Sequence, residues 1–141
     1  MNIQVAVLCD AATDDNNGKL NLLGAFDTIY AQQLPVVHPQ CSIALRITFP
    51  GGDEGKHVLR VNFVDADGGS IMPDLPSIPV EVNMPGDIHF CTRNFIVNIQ
   101  QLKFEKPGLY SIDISLDDQP QASIPLMVKF SPQPEPGGGA D

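Results

Sequence analysis

Apolar and polar side chains alternate along this chain with a period of two far more often than they recur at the three-and-four spacing of a helix. In "CSIALRITF", Cys41, Ile43, Leu45, Ile47 and Phe49 share one face while Ser42, Arg46 and Thr48 share the other, as in a half-buried strand. "HVLRVNFVD" sets Leu59, Val61 and Phe63 on one side of a second strand and ends in "DADGG", a composition suited to a tight turn. In "RNFIVNIQQLKF" the apolar face carries Phe95, Val97 and Ile99, then changes parity at Leu102 and Phe104. That switch predicts a bulge or a strand end near Gln100. The most regular unit is 104–130, where Tyr110, Ile112, Ile114 and Leu116 alternate with Ser111, Asp113 and Ser115. After "DDQPQ", Ala122, Ile124, Leu126 and Val128 alternate with Ser123, Met127 and Lys129. Pro125 has no N–H for a central ladder, which predicts an edge or a bulge in the last strand.

At the N-terminus "IQVAVL" and "KLNLLGAFDTIYA" flank "DDNNGK", whose Asn17-Gly18 pair predicts a hairpin between them. "LPVVHP" reads as a connection stiffened by Pro35 and Pro39, and "MPDLPSIPVEVNMPGD" as a Pro-rich crossing with a short strand from Ile78 to Asn83. Gly and Pro interrupt every run before a helix could extend. Evenly spaced strands, about seven to nine of them, predict an all-β protein with the architecture of an antiparallel β-sandwich. One domain over 1–131 accounts for the pattern, and "SPQPEPGGGAD" reads as a flexible Pro/Gly-rich tail over 132–141.

Two resemblances sharpen this reading. "LKFEKPGLYSIDI" resembles the corner of immunoglobulin-like domains where a Gly-x-Tyr step opens a strand and the tyrosine hydroxyl bonds back to upstream backbone; Gly108 and Tyr110 are the matching positions. Ile112 stands where antibody-type domains place the strand cysteine, and the chain has no tryptophan, so the likeness is to cysteine-free immunoglobulin-like sandwiches. "VAVLCDAAT", "GKLNLLGAFDTIYAQQLPVVHPQCSIALRITF" and "GLYSIDISLD" make the whole chain similar to a family of short bacterial proteins known only as a domain of unknown function. That resemblance implies a stand-alone bacterial protein and carries no site residues with it.

Charge narrows the partners. The chain of 141 residues has 17 acidic against 8 basic side chains, a net charge of -9 that repels nucleic-acid phosphates and anionic bilayers. The basic residues are scattered singly, so no nucleic-acid patch forms. No window approaches the apolar length of a membrane span, and the N-terminus lacks the basic and apolar segments of a signal peptide. Three cysteines without CxxC spacing suit a reducing, cytoplasmic setting.

Candidate chemistry is sparse. His38, His57 and His89 are not spaced as metal ligands, though His38 with Cys41 and His89 with Cys91 are near neighbours in sequence. Cys9 and Cys41 fall on or beside apolar strand faces, whereas Cys91, flanked by His89 and Arg93 in a loop, is the one thiol whose setting could activate it. Asp14, Asp15 and Asn17 in "DAATDDNNGK", with Asp65 and Asp67 in "DADGG", supply oxygen donors for calcium between loops, but they also compose ordinary hairpin turns and lack EF-hand spacing. Phosphate-binding and hydrolase motifs are missing from the sequence. The expectation is a non-enzymatic interaction or structural module without cofactor, holding a protein partner or a second copy of itself. Val58, Val64, Ile96 and Met127 are its exposed apolar candidates. A calcium- or carbohydrate-binding sandwich is the first alternative, although Tyr30 and Tyr110 are poor platforms for sugars; a thiol enzyme at Cys91 is the second.

Overall fold

Alternation in the sequence becomes strand pairing in the computed structural model, which describes residues 1–72, 75 and 77–131. Among these residues nine strands run in chain order: β1 (Asn2–Asp14), β2 (Leu20–Ala25), β3 (Thr28–Ala31), β4 (Val36–Pro50), β5 (Gly55–Val64), β6 (Ile78–Val82), β7 (Phe90–Phe104), β8 (Gly108–Leu116) and β9 (Gln119–Phe130). They form a four-stranded sheet in the order β2-β1-β4-β7 and a five-stranded sheet in the order β3-β9-β8-β5-β6, the latter curled into a half-barrel. No helix occurs among the described residues.

Side chains from the inner faces of both sheets meet in one core. Leu8, Ile43, Leu45, Ile47, Phe49, Leu102 and Phe104 come from the first sheet, and Leu59, Phe63, Ile112, Ile114 and Leu126 from the second, all fully buried. Each is a position that the two-residue rhythm marks as inward or lies next to one, because successive Cβ atoms on a strand point to opposite faces.

Four expectations need adjustment. The pairings are antiparallel with one exception: β3 runs parallel to β9, Thr28 to Ala31 against Met127 to Phe130. "KLNLLGAFDTIYA" is not one strand but two, since the chain leaves β2 after Ala25 and enters the other sheet at Thr28. "LPVVHP" is not wholly a connection, because Val36–Pro39 already belongs to β4, just after a cis Leu34–Pro35 bond. The parity switch near Gln100 leaves the β4–β7 register unshifted: His38 faces Leu102 and Gln40 faces Gln100 on either side of an unpaired step. There Pro39 has no N–H to give, and Gln101 turns left-handed at φ 58. Both strands change face together, so Leu102 and Phe104 return to the core.

Pro125 sits on an edge, as its missing N–H demands. β3 covers β9 only from Met127 onward, and the Met127 N–H donates to the Asp27 carbonyl, so strand alternation turns the Pro125 nitrogen to the same outer side. The hairpin's irregularity lies instead between Ile114 and Ser115. The segment 132–141, read above as a tail, lies outside the described residues.

The β1–β2 hairpin is folded back as an arm. Val5 pairs with Arg46, and an extended strand from Val5 to Asp14 would run about 30 Å away. Yet the Gly18 carbonyl at the hairpin tip accepts hydrogen bonds from Arg46 Nη1 at 3.1 Å and Asn94 Nδ2 at 3.0 Å. The tip therefore lies over the outer face of the four-stranded sheet. The bend falls where Gly24, at φ +70, leaves the space of a Cβ to the Asp10 carboxylate. The cover explains why Ser42 and Ala44, on the outward side of β4, are 1% and 0% exposed. Half-buried Ala12, Leu20 and Leu22 alternate with exposed Ala11, Asn21 and Leu23, so the former set faces the sheet.

Candidate functional site

On the outer face of the five-stranded sheet, the β8–β9 register sets Leu109 opposite Met127, and β3 adds Thr28 beside Met127 and Tyr30 beside Lys129. Leu109, Tyr30 and Met127 are 60%, 69% and 39% exposed, three large apolar side chains at one end of a single face. Polar Asn62, Ser111, Asp113 and Ser123 share that face with exposed Val58 and half-buried Val64 of β5. Ser111 and Ser123 both donate to Asp113 Oδ1, at 2.6 and 3.1 Å, and Ser70 donates to Asn62 at 2.9 Å. Ser123 thus reaches Asp113 across the β8–β9 pair, while Ser111 reaches the same carboxylate along its own strand.

The expected apolar candidates divide. Met127 and Val58 are exposed, whereas Val64 and Ile96 are half-buried, Ile96 on the face that the arm crosses. Leu109 was missed, although it occupies the parity filled by Ser111, Asp113 and Ser115, and that mismatch alone marks it as an apolar side chain facing outward.

A second constellation joins the start of β5 to the β8–β9 turn. His57 Nδ1 lies 2.6 Å from Asp117 Oδ2 and its Nε2 lies 2.7 Å from the Asp53 carbonyl, while Asp117 Oδ1 accepts the Val58 N–H at 2.8 Å. Both ring nitrogens face acceptors, so the doubly protonated imidazolium is the form that satisfies both. The Asp117 hydrogen bond, followed by the Asp53 carbonyl, accordingly raises the His57 pKa above its ordinary value, and the His57 and Val58 donors lower that of Asp117. The turn needs such a clip, because Asp117 and Asp118 both hold positive φ, at 52 and 64.

The pH consequence follows from linkage. His57, with its folded pKa raised, contributes stability below about pH 6.5 and loses it as pH rises through the folded value. Asp117, with its folded pKa lowered, contributes above about pH 4 and loses it as pH falls through the folded value. The melting-temperature deficit of His57→Gln is thus greatest near pH 5 and shrinks toward both pH 8 and pH 2, in thermal melts followed by circular dichroism. A deficit that does not change with pH would disprove the clip.

The calcium candidates occupy two similar loops that do not meet. Asp15 Oδ1 accepts the N–H groups of Asn17 and Lys19, at 2.8 and 3.0 Å, and Asp65 Oδ1 accepts those of Asp67 and Gly69, both at 2.9 Å. Asp14 Oδ1 accepts Asn94 Nδ2 at 3.2 Å. The first loop rests over Arg46 and Asn94, whereas the second shares a cleft with Lys103, Lys106 and Tyr110. Among the described residues no group of three or more His, Cys, Asp or Glu is placed to hold a metal ion.

Cys9 and Cys41 are fully buried, and desolvation pushes the Cys41 thiol up to about 11. Cys91 lies within β7 opposite Phe49, half-buried against the core, rather than in a loop. His38 pairs with Leu102 and tilts its ring on Phe26 at 5.4 Å, and the His89 carbonyl accepts the Gly51 N–H at the far end of β4. The two His–Cys neighbours are therefore held apart by the length of the sheet.

No helix among the described residues is long and apolar enough to cross a membrane. No curated protein matches the chain. Residues 4–129 match the model of a family of unknown function, DUF6941, and the chain belongs to that family.

Proposed function

We propose that this chain is a non-enzymatic protein-interaction module on an immunoglobulin-like sandwich. The strand order supports the immunoglobulin-like part: β9-β8-β5-β6 follows the G-F-C-C′ order and β1-β4-β7 the A-B-E order of such domains. The Tyr110 hydroxyl donates to the Lys106 carbonyl at 2.6 Å, the corner bond expected of Gly108 and Tyr110.

The observation that carries the interaction reading is the gathering of exposed Tyr30, Leu109 and Met127 at one end of the outer face of the five-stranded sheet. A tyrosine beside aliphatic side chains offers rigid apolar area at low entropic cost, which suits the anchor of a protein interface. The test compares the full chain with its Leu109→Ser, Met127→Ser double variant as bait in extracts of the native cell. Both positions are exposed, so the melting temperature stays within a degree or two while retention of the partner falls by about tenfold or more. Equal retention by both baits would remove the reading.

A further inference from the structure

The free side of β7 is unlike every other border of the two sheets. β2 has six residues and is bent at Gly24, β3 has four, and β6 has five and contains Pro79. The uncovered part of β9 carries Pro120 and Pro125. β7 has 15 residues, contains neither Pro nor Gly, and bears no charge between Arg93 and Lys103. Short length, proline and charge are what keep exposed edges from pairing, and β7 uses none of them over its middle. Among the described residues no strand pairs on its outer side.

The polar groups on that side can be assigned. The Gly51 N–H donates to the His89 carbonyl at 3.2 Å, and the same register runs on through Pro50 with Phe90 and Phe49 with Cys91. Odd-numbered residues of β7 therefore bond β4, and Asn94, Ile96, Asn98 and Gln100 present N–H and C=O outward.

We propose that two copies of this chain pair antiparallel along β7, about a two-fold axis at Val97, to join two four-stranded sheets into one of eight strands. In that register Ile96 faces Asn98 of the second copy and Asn94 faces Gln100, so all four outward residues exchange backbone hydrogen bonds. On the inner face Phe95 meets Ile99 and Val97 meets Val97. Phe95 and Val97 are half-buried at the open rim of the core, which a second copy completes. Arg93 falls opposite Gln101, so no like charges face each other. β7 carries no acidic residue, so two copies of a chain of net charge -9 can pair along it without acidic side chains of the paired strands facing each other. An isologous contact of this kind closes after two subunits.

This contact is separate from the Tyr30, Leu109 and Met127 surface, and the two fail independently. Light scattering of the full chain up to about 200 µM gives twice the 15.2 kDa chain mass. Hydrogen exchange on the same samples shows the amides of Ile96, Asn98 and Gln100 gaining protection with concentration. Asn98→Pro removes an outward N–H that the chain's own ladder does not use, and shifts the protein to monomer. Should that variant not fold, the amide protection of the native chain decides. A monomer throughout, or a dimer whose three amides exchange independently of concentration, overturns the proposal.

Discussion

Phe104→Ala lowers the unfolding free energy by about 3–5 kcal/mol, and the melting temperature by on the order of 10–15 °C, in thermal and urea melts. Phe104 is fully buried at the end of β7, and its ring meets Tyr110 of the opposite sheet edge-on, with centroids 4.9 Å apart. Truncation loses that aromatic contact and opens a cavity beside the tyrosine corner, where Tyr110 is fixed by its bond to the Lys106 carbonyl. The corner alone contributes less, so Tyr110→Phe costs about 1 kcal/mol through one part-buried hydrogen bond. The double variant loses less than the sum of the two, because the cavity lets the Tyr110 ring move and already weakens its bond. Additive losses would mean that ring and corner act separately. A Phe104→Ala loss below about 1 kcal/mol would mean that this end of the sandwich collapses around the gap.

Strand positions in this part of the molecule were legible because period and burial coincide. Ile112, Ile114, Leu126 and Val128 alternate with polar side chains, and the β8–β9 hairpin buries that set. Pro125 foretold an edge for a local reason, a missing donor. What stayed illegible depends on groups brought together from far along the chain. Arg46 reads as a polar side chain on the outward side of a strand, and nothing adjacent to it announces the carbonyl of Gly18. His57 and Asp117 are 60 residues apart, and "DDQPQ" does not disclose that its first aspartate adopts a left-handed conformation held by a distant imidazole. The strand over Thr28 to Ala31 reads as one with its predecessor because 22–31 is polar only at Asp27 and Thr28, where the chain changes sheets. Of the candidate surface, Met127 was visible by parity, whereas Tyr30 needed the parallel pairing of β3 with β9 to reach the same face.

Arg46→Ala frees the β1–β2 arm, at a cost of about 1.5–3 kcal/mol. The guanidinium donates to Gln4 Oε1 at 3.0 Å, to the Gly18 carbonyl at 3.1 Å and to Asn94 Oδ1 at 2.8 Å, and Asn94 in turn donates to Gly18 and Asp14. One planar side chain thus fixes the hairpin tip, the first strand and β7 together, and lysine, with a single compact ammonium, cannot span the same acceptors. Arg46→Lys therefore recovers less than half of the loss. Arg60 is the control: it is exposed and pairs with exposed Asp118 at 3.4 Å, so Arg60→Ala stays within about 0.5 kcal/mol of the parent chain. Because the arm is attached to the sandwich through β1, this polar latch and only half-buried apolar contacts of Ala12, Leu20 and Leu22, it opens below the global unfolding free energy. In Arg46→Ala, amides over residues 11–23 lose exchange protection while those of β5, β8 and β9 keep theirs. Opening the arm also uncovers Ala44 and Ile96 in a chain otherwise folded, so a hydrophobic dye binds the variant before the main melt. Protection over 11–23 equal to the parent's would show that the apolar contacts of Ala12, Leu20 and Leu22 hold the arm without the latch.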